Sequence, residues 1–274
     1  MSRQKLGQHF LHSPAWRERI ARTLPADANA TWLEIGPGHG EMTQFLAQHS
    51  RRVIAIETDS ALAGSLRRRA ANLPAKADAS AATAGWSNVE IVESDILAVD
   101  LSSLTRERFR VYGNLPYYIT SPILSHLFRF AAHIDSIHIV IQWEVAARIA
   151  ATPGHREYAY LSALCQYFTR PEIVLRIPPG AFRPPPKVNS ALVAMNLPGE
   201  RAQLGIRDDA AFLKFLRNCF SQKRKTLRNN LKGIFCDEEI AGALSFGKLM
   251  PKSRAEELSL AQFAQLYRLL TPEK

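Results

Sequence analysis

The chain has 274 residues, of which 46% are hydrophobic and 22% are charged. This composition can build a packed core, and it excludes disordered, collagen-like and coiled-coil chains. The net charge of +10 predicts a polyanionic partner without naming it. The sequence shows neither a long apolar run nor a signal-peptide pattern, so we expect a cytoplasmic protein that does not contact a membrane. Its three cysteines lack the spacing of metal or redox sites, which predicts buried free thiols and no metal.

Over the first 197 residues, short apolar runs alternate with helical patterns, as is typical of a parallel sheet covered by helices on both faces. We predict strands at 31–35, 52–57, 89–93, 110–113, 136–142, 171–177 and 189–197. We predict helices at 14–24, 41–49, 60–72, 121–131, 143–150 and 157–168. The predicted fold is therefore an open α/β domain of Rossmann-like form with seven strands. The alanine-rich segment 74–87 has no apolar period and is predicted to be a surface insertion.

A domain boundary is predicted after Leu197, because the next four residues, Pro198 to Arg201, are typical of a linker. The expected domains are residues 1–197 and 198–274. Only helical patterns follow the linker, at 208–220, 223–232, 237–245 and 259–270. Asp237 and Ser259 are the expected N-caps of the last two helices. The second domain is thus predicted to be small and all-α.

Basic residues are concentrated in this second domain. Its 77 residues carry a net charge of +5, the same as the 197 residues before it. The stretch from Phe212 to Phe235 holds seven Lys and Arg and no Asp or Glu, and its apolar residues recur at helical spacing. We therefore predict a surface that faces nucleic acid. The candidate RNA-binding residues are Lys223, Arg224, Lys225 and Arg228.

A glycine-rich turn follows the first predicted strand. It contains Gly36, Gly38 and Gly40, and glycine at such a turn lets the backbone approach a ligand closely. The spacing is G-x-G-x-G, and Glu41 stands where a dinucleotide site has its third glycine. A carboxylate at a helix start would repel a diphosphate. The turn therefore favours S-adenosylmethionine, a cofactor without phosphates, over a dinucleotide.

Two carboxylates stand at the ends of the next two strands. Glu57 can accept hydrogen bonds from ribose hydroxyls, and Asp95 can accept one from an adenine amino group. Because ligands of open α/β sheets bind at the carboxyl ends of the strands, the two carboxylates and the glycine turn are expected to share one crevice.

The fourth predicted strand leads into Asn114-Leu115-Pro116-Tyr117, which suits methylation of a nucleobase amine. The lone pair of such an amine is delocalised into the ring, so the nitrogen is a poor nucleophile. The Asn114 amide oxygen and the Leu115 carbonyl can accept its two N–H groups and favour a tetrahedral nitrogen. Pro116 keeps Leu115 extended, and Tyr117 offers a ring on which an extruded base stacks.

Five motifs in the same order resemble the ribosomal RNA adenine N6,N6-dimethyltransferase family. They are Lys5–Leu11, Glu34–Gly40, Asn114–Tyr117, Gln142–Ala146 and Ala181–Ser190, and a match continues through Arg224–Leu231. The bacterial small-subunit type is the most similar. The resemblance implies methyl transfer from S-adenosylmethionine to two adjacent adenosines in the 3′-terminal hairpin loop of small-subunit rRNA, late in assembly of the 30S particle. We expect the enzyme to be monomeric.

The resemblance also implies roles for particular residues. The residues expected to contact the cofactor are His9, Leu11, Gly36, Gly38, Glu57, Asp95, Ile96 and Asn114. Phe182 is expected to close over the target adenine opposite Tyr117. Two positions depart from the family. Family members often have Asn at the position of His9, and they usually have Lys at the position of Trp143. A phosphate contact at Trp143 is therefore not expected.

Two other functions are compatible with these patterns. A large-subunit rRNA methylase of the macrolide-resistance type shares the Asn114 motif, although Phe182–Lys187 and the basic helical end resemble the small-subunit type more. A non-catalytic assembly or transcription factor on the same fold is the second alternative. The intact set of Asn114, Tyr117, Glu57 and Asp95 favours a working enzyme.

Overall fold

The computed structural model describes residues 9–71 and 86–271. The first four residues of the Lys5–Leu11 motif and most of the predicted insertion at 74–87 therefore lie outside the described residues. The chain forms two compact units, one of residues up to Ala146 with Glu172–Leu197, the other of Ala147–Pro171 with Pro198 onwards. The division into 1–197 and 198–274 stays a prediction; the observed grouping also separates the chain after Leu197 but places 147–171 with the C-terminal residues.

Nine strands in the described part of the chain form two sheets. The strands are β1 Phe10–Leu11, β2 Thr31–Ile35, β3 Arg52–Glu57, β4 Val89–Glu93, β5 Phe109–Asn114, β6 Ile134–Gln142, β7 Arg170–Ile177, β8 Phe182–Arg183 and β9 Ser190–Asn196. The main sheet has seven strands in the order β4-β3-β2-β5-β6-β9-β7. Neighbouring strands from β4 to β6 are parallel, whereas β9 runs antiparallel to β6. The predicted seven-stranded, mostly parallel Rossmann-like sheet is thereby confirmed.

The central strands are apolar because helices cover both faces of the sheet. Every residue of β2 is buried, as are the last five residues of β3. Strands buried on both faces read as continuous apolar runs, which is why they were predictable to within a residue or two. The small sheet of β1 and β8 was not predicted, since each strand has two residues and the partners lie far apart in sequence.

Twelve α-helices accompany the strands in the described residues. They are α1 Pro14–Ala21, α2 Glu41–Gln48, α3 Ser60–Ala71, α4 Leu101–Leu104, α5 Thr120–Phe128, α6 Trp143–Ala150, α7 Tyr160–Phe168, α8 Arg201–Leu204, α9 Asp209–Cys219, α10 Leu227–Leu231, α11 Asp237–Phe246 and α12 Leu260–Leu270. Two short helices, α4 and α8, were not predicted, and α8 begins inside the predicted linker. None of the helices in the described residues is long and apolar enough to cross a membrane.

Helix capping corrects two predictions in the second unit. The Cys236 sulfur accepts from Glu239 N, so Cys236 is the N-cap of α11 and Asp237 is its first residue. The predicted helix at 223–232 begins only at Leu227, where the Thr226 hydroxyl caps α10. Ser259 caps α12 as predicted. Cys236 is also exposed, unlike the buried Cys165 and Cys219, so the expectation of three buried thiols was wrong for this residue.

Aromatic side chains form the core of the second unit. The Phe212 ring lies 5.2 Å from the Tyr167 ring and 5.4 Å from the Tyr267 ring, and Phe220 lies 5.4 Å from Phe263. The apolar stripe of α9 predicted from sequence is therefore buried, and burial of each such ring stabilises this unit by about 1.5–3 kcal/mol.

A candidate active site at the carboxyl ends of the strands

A cleft of about 210 Å³ opens in the first unit where β2, β3, β4 and β5 end. Ten of the predicted site residues line it: His9, Gly36, Gly38, Glu57, Asp95, Ile96, Asn114, Leu115, Pro116 and Tyr117. Parallel strands bring nine of these residues together because their carboxyl ends meet at one edge of the sheet, and His9 joins them from the segment before β1.

The glycine turn has the backbone geometry that glycine allows. Gly36, Gly38 and Gly40 have φ of +66°, +61° and +81°, in the left-handed region. A Cβ on Gly38 would lie 3.1 Å from the Phe10 ring, and one on Gly40 would lie 2.3 Å from the Trp86 ring. The turn thus needs glycine both for its φ angles and for its close packing against two rings.

The Glu57 side chain is buried and held by backbone N–H groups. One carboxylate oxygen accepts a hydrogen bond from Gly38 N at 3.1 Å, and the other accepts one from Asp59 N at 3.0 Å. The carboxylate therefore connects the end of β3 to the glycine turn after β2. Each carboxylate oxygen can accept a further hydrogen bond, so the group remains able to bind ligand hydroxyls.

Asp95 lies after β4, at the start of a short 3₁₀ helix, Ile96–Ala98. Its Oδ1 accepts a hydrogen bond from Leu97 N at 2.9 Å, while the Ile96 side chain is buried beside it. The carboxylate is thereby oriented by its own backbone turn at the rim of the cleft.

Asn114 ends β5, and hydrogen bonds orient it and its neighbour. Its side-chain Nδ2 donates to the carbonyl of His9 at 2.8 Å, and Leu115 N donates to the Val140 carbonyl at 3.0 Å. A Cβ at Gly113 would lie 2.8 Å from the Leu115 side chain, so a small residue is needed before Asn114. Because the Asn114 amide nitrogen donates its hydrogen bond to the His9 carbonyl, the amide oxygen remains available as an acceptor.

Tyr117 is half-buried, and its hydroxyl forms a hydrogen bond of 2.7 Å with the Ser190 hydroxyl. The ring lies 5.4 Å from the His9 ring, at an interplanar angle of 30°. Burial raises the pKa of Tyr117, and the Ser190 hydrogen bond opposes this effect. The phenol is therefore neutral at physiological pH, and its ring is fixed in position.

Leu11 and Phe182 occupy a different place. They are facing partners of the β1–β8 ladder, and both are buried in an apolar cluster with Tyr112 and Met42. Phe182 is 2% exposed and is not among the described residues that line the cleft. This arrangement gives no support to the prediction that the Phe182 ring covers a target base, because the ring is packed inside the domain.

Sequence reasoning missed several residues of the cleft. Phe10 packs against the glycine turn, and Tyr118, at its rim, is 63% exposed. Ser190, which does not line the cleft but forms a hydrogen bond with Tyr117, belongs to the Ala181–Ser190 motif and was assigned no contact. Only tertiary packing shows these roles, although the place of Tyr118 directly after Tyr117 was a usable signal. Trp143, one of the departures from the family, lies under the Arg176 guanidinium at 4.6 Å.

The predicted RNA-binding residues belong to the second unit. Lys223, Arg224 and Lys225 are exposed, and they precede α10 instead of lying on it, so they do not form the predicted helical face. Lys223 Nζ donates to the Arg156 carbonyl at 2.6 Å. Arg228 forms an ion pair with Asp237, 3.2 Å away, so an acid from beyond the basic stretch partly neutralises it.

A mostly parallel sheet with one antiparallel strand beside β6, and with a glycine turn after β2, is the fold of the Rossmann-like methyltransferases. Two solved structures share it at 24% identity. A dimethyladenosine transferase from Plasmodium falciparum has a TM-score of 0.74 and covers 94% of this chain and 96% of its own. The 23S rRNA methyltransferase ErmE has a TM-score of 0.67 and covers 95% and 99%.

Sequence comparison identifies the family, which the comparison of folds does not. The profile of the family described as ribosomal RNA adenine dimethylase matches residues 1–272, so the chain belongs to this family. A protein from Acidobacterium capsulatum called ribosomal RNA small subunit methyltransferase A is 44% identical, covering 97% of this chain and 90% of that protein. A protein of the same name from Koribacter versatilis is 41% identical, covering 97% and 93%. The resemblance inferred from the motifs is thereby confirmed.

Proposed function

We propose that this protein transfers methyl groups from S-adenosylmethionine to N6 of adenosines in small-subunit rRNA, forming N6,N6-dimethyladenosine. The observation that carries the proposal is the Asn114 amide, anchored by the His9 carbonyl in a cleft that also holds Glu57 and Asp95. Family membership and the two relatives named for the small subunit support the same reaction. The proposed target is the pair of adjacent adenosines in the 3′-terminal hairpin loop of 16S rRNA.

The cleft suits the proposed cofactor. Gly36 and Gly38 give close backbone approach, Glu57 would accept from the ribose hydroxyls, and Asp95 would accept from the adenine amino group. Ile96 is proposed to add an apolar contact, whereas Leu11 is packed in the cluster behind β1 and has no place in the proposed cofactor contacts. Glu41 at the start of α2 disfavours binding of a diphosphate, and in this respect the cleft differs from a dinucleotide-binding site. When bound, the cofactor supplies an electrophilic methyl group.

The segment Asn114–Tyr117 would make the N6 nitrogen of adenine a better nucleophile. Asn114 Oδ1 and the Leu115 carbonyl would accept the two N–H groups of adenine, which localises the nitrogen lone pair for attack. Stacking on Tyr117 would contribute about 1–3 kcal/mol to holding an extruded base. After transfer the positively charged amine is strongly acidic, so it loses its proton to water and needs no protein base. The neutral Tyr117 is consistent with a stacking role only.

Docking is proposed to use the exposed basic residues of the second unit. Lys223, Arg224 and Lys225 would contact phosphates, while Arg228 would contribute less because of its Asp237 partner. We further propose that the enzyme acts as a monomer in the cytoplasm, on the assembling 30S particle.

The test offers labelled S-adenosylmethionine with four acceptors: undermethylated small subunits, naked small-subunit rRNA, large-subunit rRNA and duplex DNA. We expect label as dimethyladenosine in the small-subunit samples, with assembled particles preferred, and loss of label with Asn114→Ala. Label confined to large-subunit rRNA would support the macrolide-resistance type of enzyme. Particle binding without any transfer would support a non-catalytic assembly factor.

A further inference from the structure

A buried carboxyl lies directly behind the glycine turn. Glu34, on β2, is 2% exposed, and its Oε2 belongs to the buried polar atoms that have no hydrogen-bond partner within the described part of the chain. The Tyr112 hydroxyl, on the neighbouring β5, belongs to the same group. Both residues line a small cavity of about 30 Å³, large enough for one water molecule.

This small cavity shares walls with the cofactor cleft. Phe10, Gly36, Gly38 and Asn114 line both spaces, so the glycine turn and the side chains of Phe10 and Asn114 separate the Glu34 carboxyl from the cleft. A charge that enters the cleft therefore acts on Glu34 through a thin layer of protein.

The groups facing Glu34 disfavour its charged form. Burial raises its pKa to about 8, and the carboxylates of Glu41 on α2 and Glu57 on β3 add to this, while the Thr43 hydroxyl opposes it. Tyr112 faces it from β5, and Phe10 and Leu11 supply apolar walls from β1. Arg17 of α1 lies 3.7 Å from Glu41, which it partly neutralises. At neutral pH the free protein therefore carries this carboxyl mostly in its protonated form.

We propose that Glu34 releases a proton when the positively charged cofactor enters the cleft. The inference rests on the proposed function, because it takes S-adenosylmethionine as the ligand. The cofactor carries a sulfonium and an ammonium group against one carboxylate, and this positive charge favours the ionised Glu34. The O–H bond of the carboxyl breaks, the electron pair stays on the carboxylate, and buffer takes the proton.

The proposed proton release predicts the direction in which cofactor affinity changes with pH. Because binding favours the ionised carboxyl, cofactor affinity rises with pH where Glu34 is protonated in the free protein and ionised in the complex, by up to about tenfold per pH unit. The rise ends above the pKa of about 8. The amine of the cofactor titrates too, so the informative quantity is the ratio of affinities in wild type and in Glu34→Gln, which keeps a neutral side chain at all pH values.

The experiment measures S-adenosylmethionine binding by calorimetry at pH 7, in two buffers with different heats of ionisation. We expect wild type to release close to one proton more than Glu34→Gln, and Glu90→Gln, a change at an exposed glutamate on β4, to match wild type. The affinity ratio of wild type to Glu34→Gln should increase from pH 6 to pH 8. If wild type and Glu34→Gln both bind the cofactor and release the same number of protons, the inference is overturned.

A second measurement needs no substitution and covers the case in which Glu34→Gln does not fold. Infrared difference spectra of the wild-type protein should show loss of a protonated-carboxyl band when S-adenosylmethionine is added. An unchanged band with bound cofactor overturns the inference and leaves the proposed function standing. Absence of cofactor binding to wild type refutes the proposed function and the inference together.

Discussion

The side chain of Asn114 and the backbone of His9, 105 residues apart in sequence, are joined by a hydrogen bond of 2.8 Å. The bond uses the amide nitrogen of Asn114 as donor, which leaves the amide oxygen for a ligand amine. Because the acceptor is a backbone carbonyl, any residue at position 9 can supply it. The departure from the family at His9 therefore does not remove this contact.

Replacement of Asn114 by alanine should abolish methyl transfer, with a loss of at least about 100-fold, which corresponds to roughly 2.7 kcal/mol of transition-state stabilisation. The variant lacks the oxygen that is proposed to accept the amine hydrogen, whereas the glycine turn and Glu57 remain. Single-turnover rates and cofactor dissociation constants measure the two effects separately. Asn229→Ala, at an exposed residue of the second unit, serves as control. Normal turnover in Asn114→Ala would exclude the catalytic assignment.

Glu57→Ala should raise the cofactor dissociation constant by at least about tenfold, since a charge-assisted hydrogen bond contributes about 1.5–3 kcal/mol. Loss of the carboxylate also removes the acceptor of Gly38 N, so the glycine turn is connected to β3 through the bond from Gly36 N to the Ile56 carbonyl but no longer through Gly38. Calorimetric titration with S-adenosylmethionine measures the change, with Glu90→Gln as the comparison. An unchanged dissociation constant would refute the ribose role.

Gly38→Ala should weaken cofactor binding and lower stability by about 1–2 kcal/mol, because a left-handed backbone angle is combined with a Cβ contact at 3.1 Å from the Phe10 ring. Gly205→Ala is a matched control: its φ is +63°, yet nothing lies within 4 Å of its Cβ. Denaturant unfolding and cofactor titration of both variants separate backbone strain from the Phe10 contact. Equal cofactor affinity in the two variants would show that the Phe10 contact has no influence.

Charge reversal of Arg224 and Lys225 to glutamate should weaken RNA binding and flatten its salt dependence, since each lost phosphate contact lowers the slope of log K against log salt by about 0.7–0.9. The control reverses Arg106 and Arg129, two exposed arginines of the first unit. Filter binding to small-subunit rRNA at several salt concentrations measures the slopes. Unaltered affinity at low salt would mean that the turn before α10 is only solvated surface.

Stability should fall in mild acid because of His138. Burial, together with the charge of Arg110, lowers the pKa of His138 to about 4, while an unfolded chain has the ordinary value near 6.5. Between these values the unfolded state binds a proton that the folded state does not, so stability decreases as pH falls, by up to about 1.4 kcal/mol per pH unit. His138→Gln should lose this dependence in urea titrations from pH 7 to pH 4.5. Parallel stability curves for the two proteins would contradict the prediction.

Most of the fold was predictable from local patterns. Strands such as β2 and β3 are short apolar runs bounded by turns, and Ser259 and Gln262 form a capping box within four residues of sequence. Asp237 shows the limit of such signals: aspartate is a common N-cap, but here Cys236 accepts the capping N–H and Asp237 pairs with Arg228.

The sequence by itself determined the fold class, the family and the residues at the ends of the parallel strands, because apolar periodicity and short motifs are local properties of the chain. Only the tertiary structure decided the orientation of the Asn114 amide, the burial of Phe182 and the shared walls around Glu34. These depend on contacts between segments far apart in sequence, such as β1 with β8, and on the exclusion of water that those contacts bring.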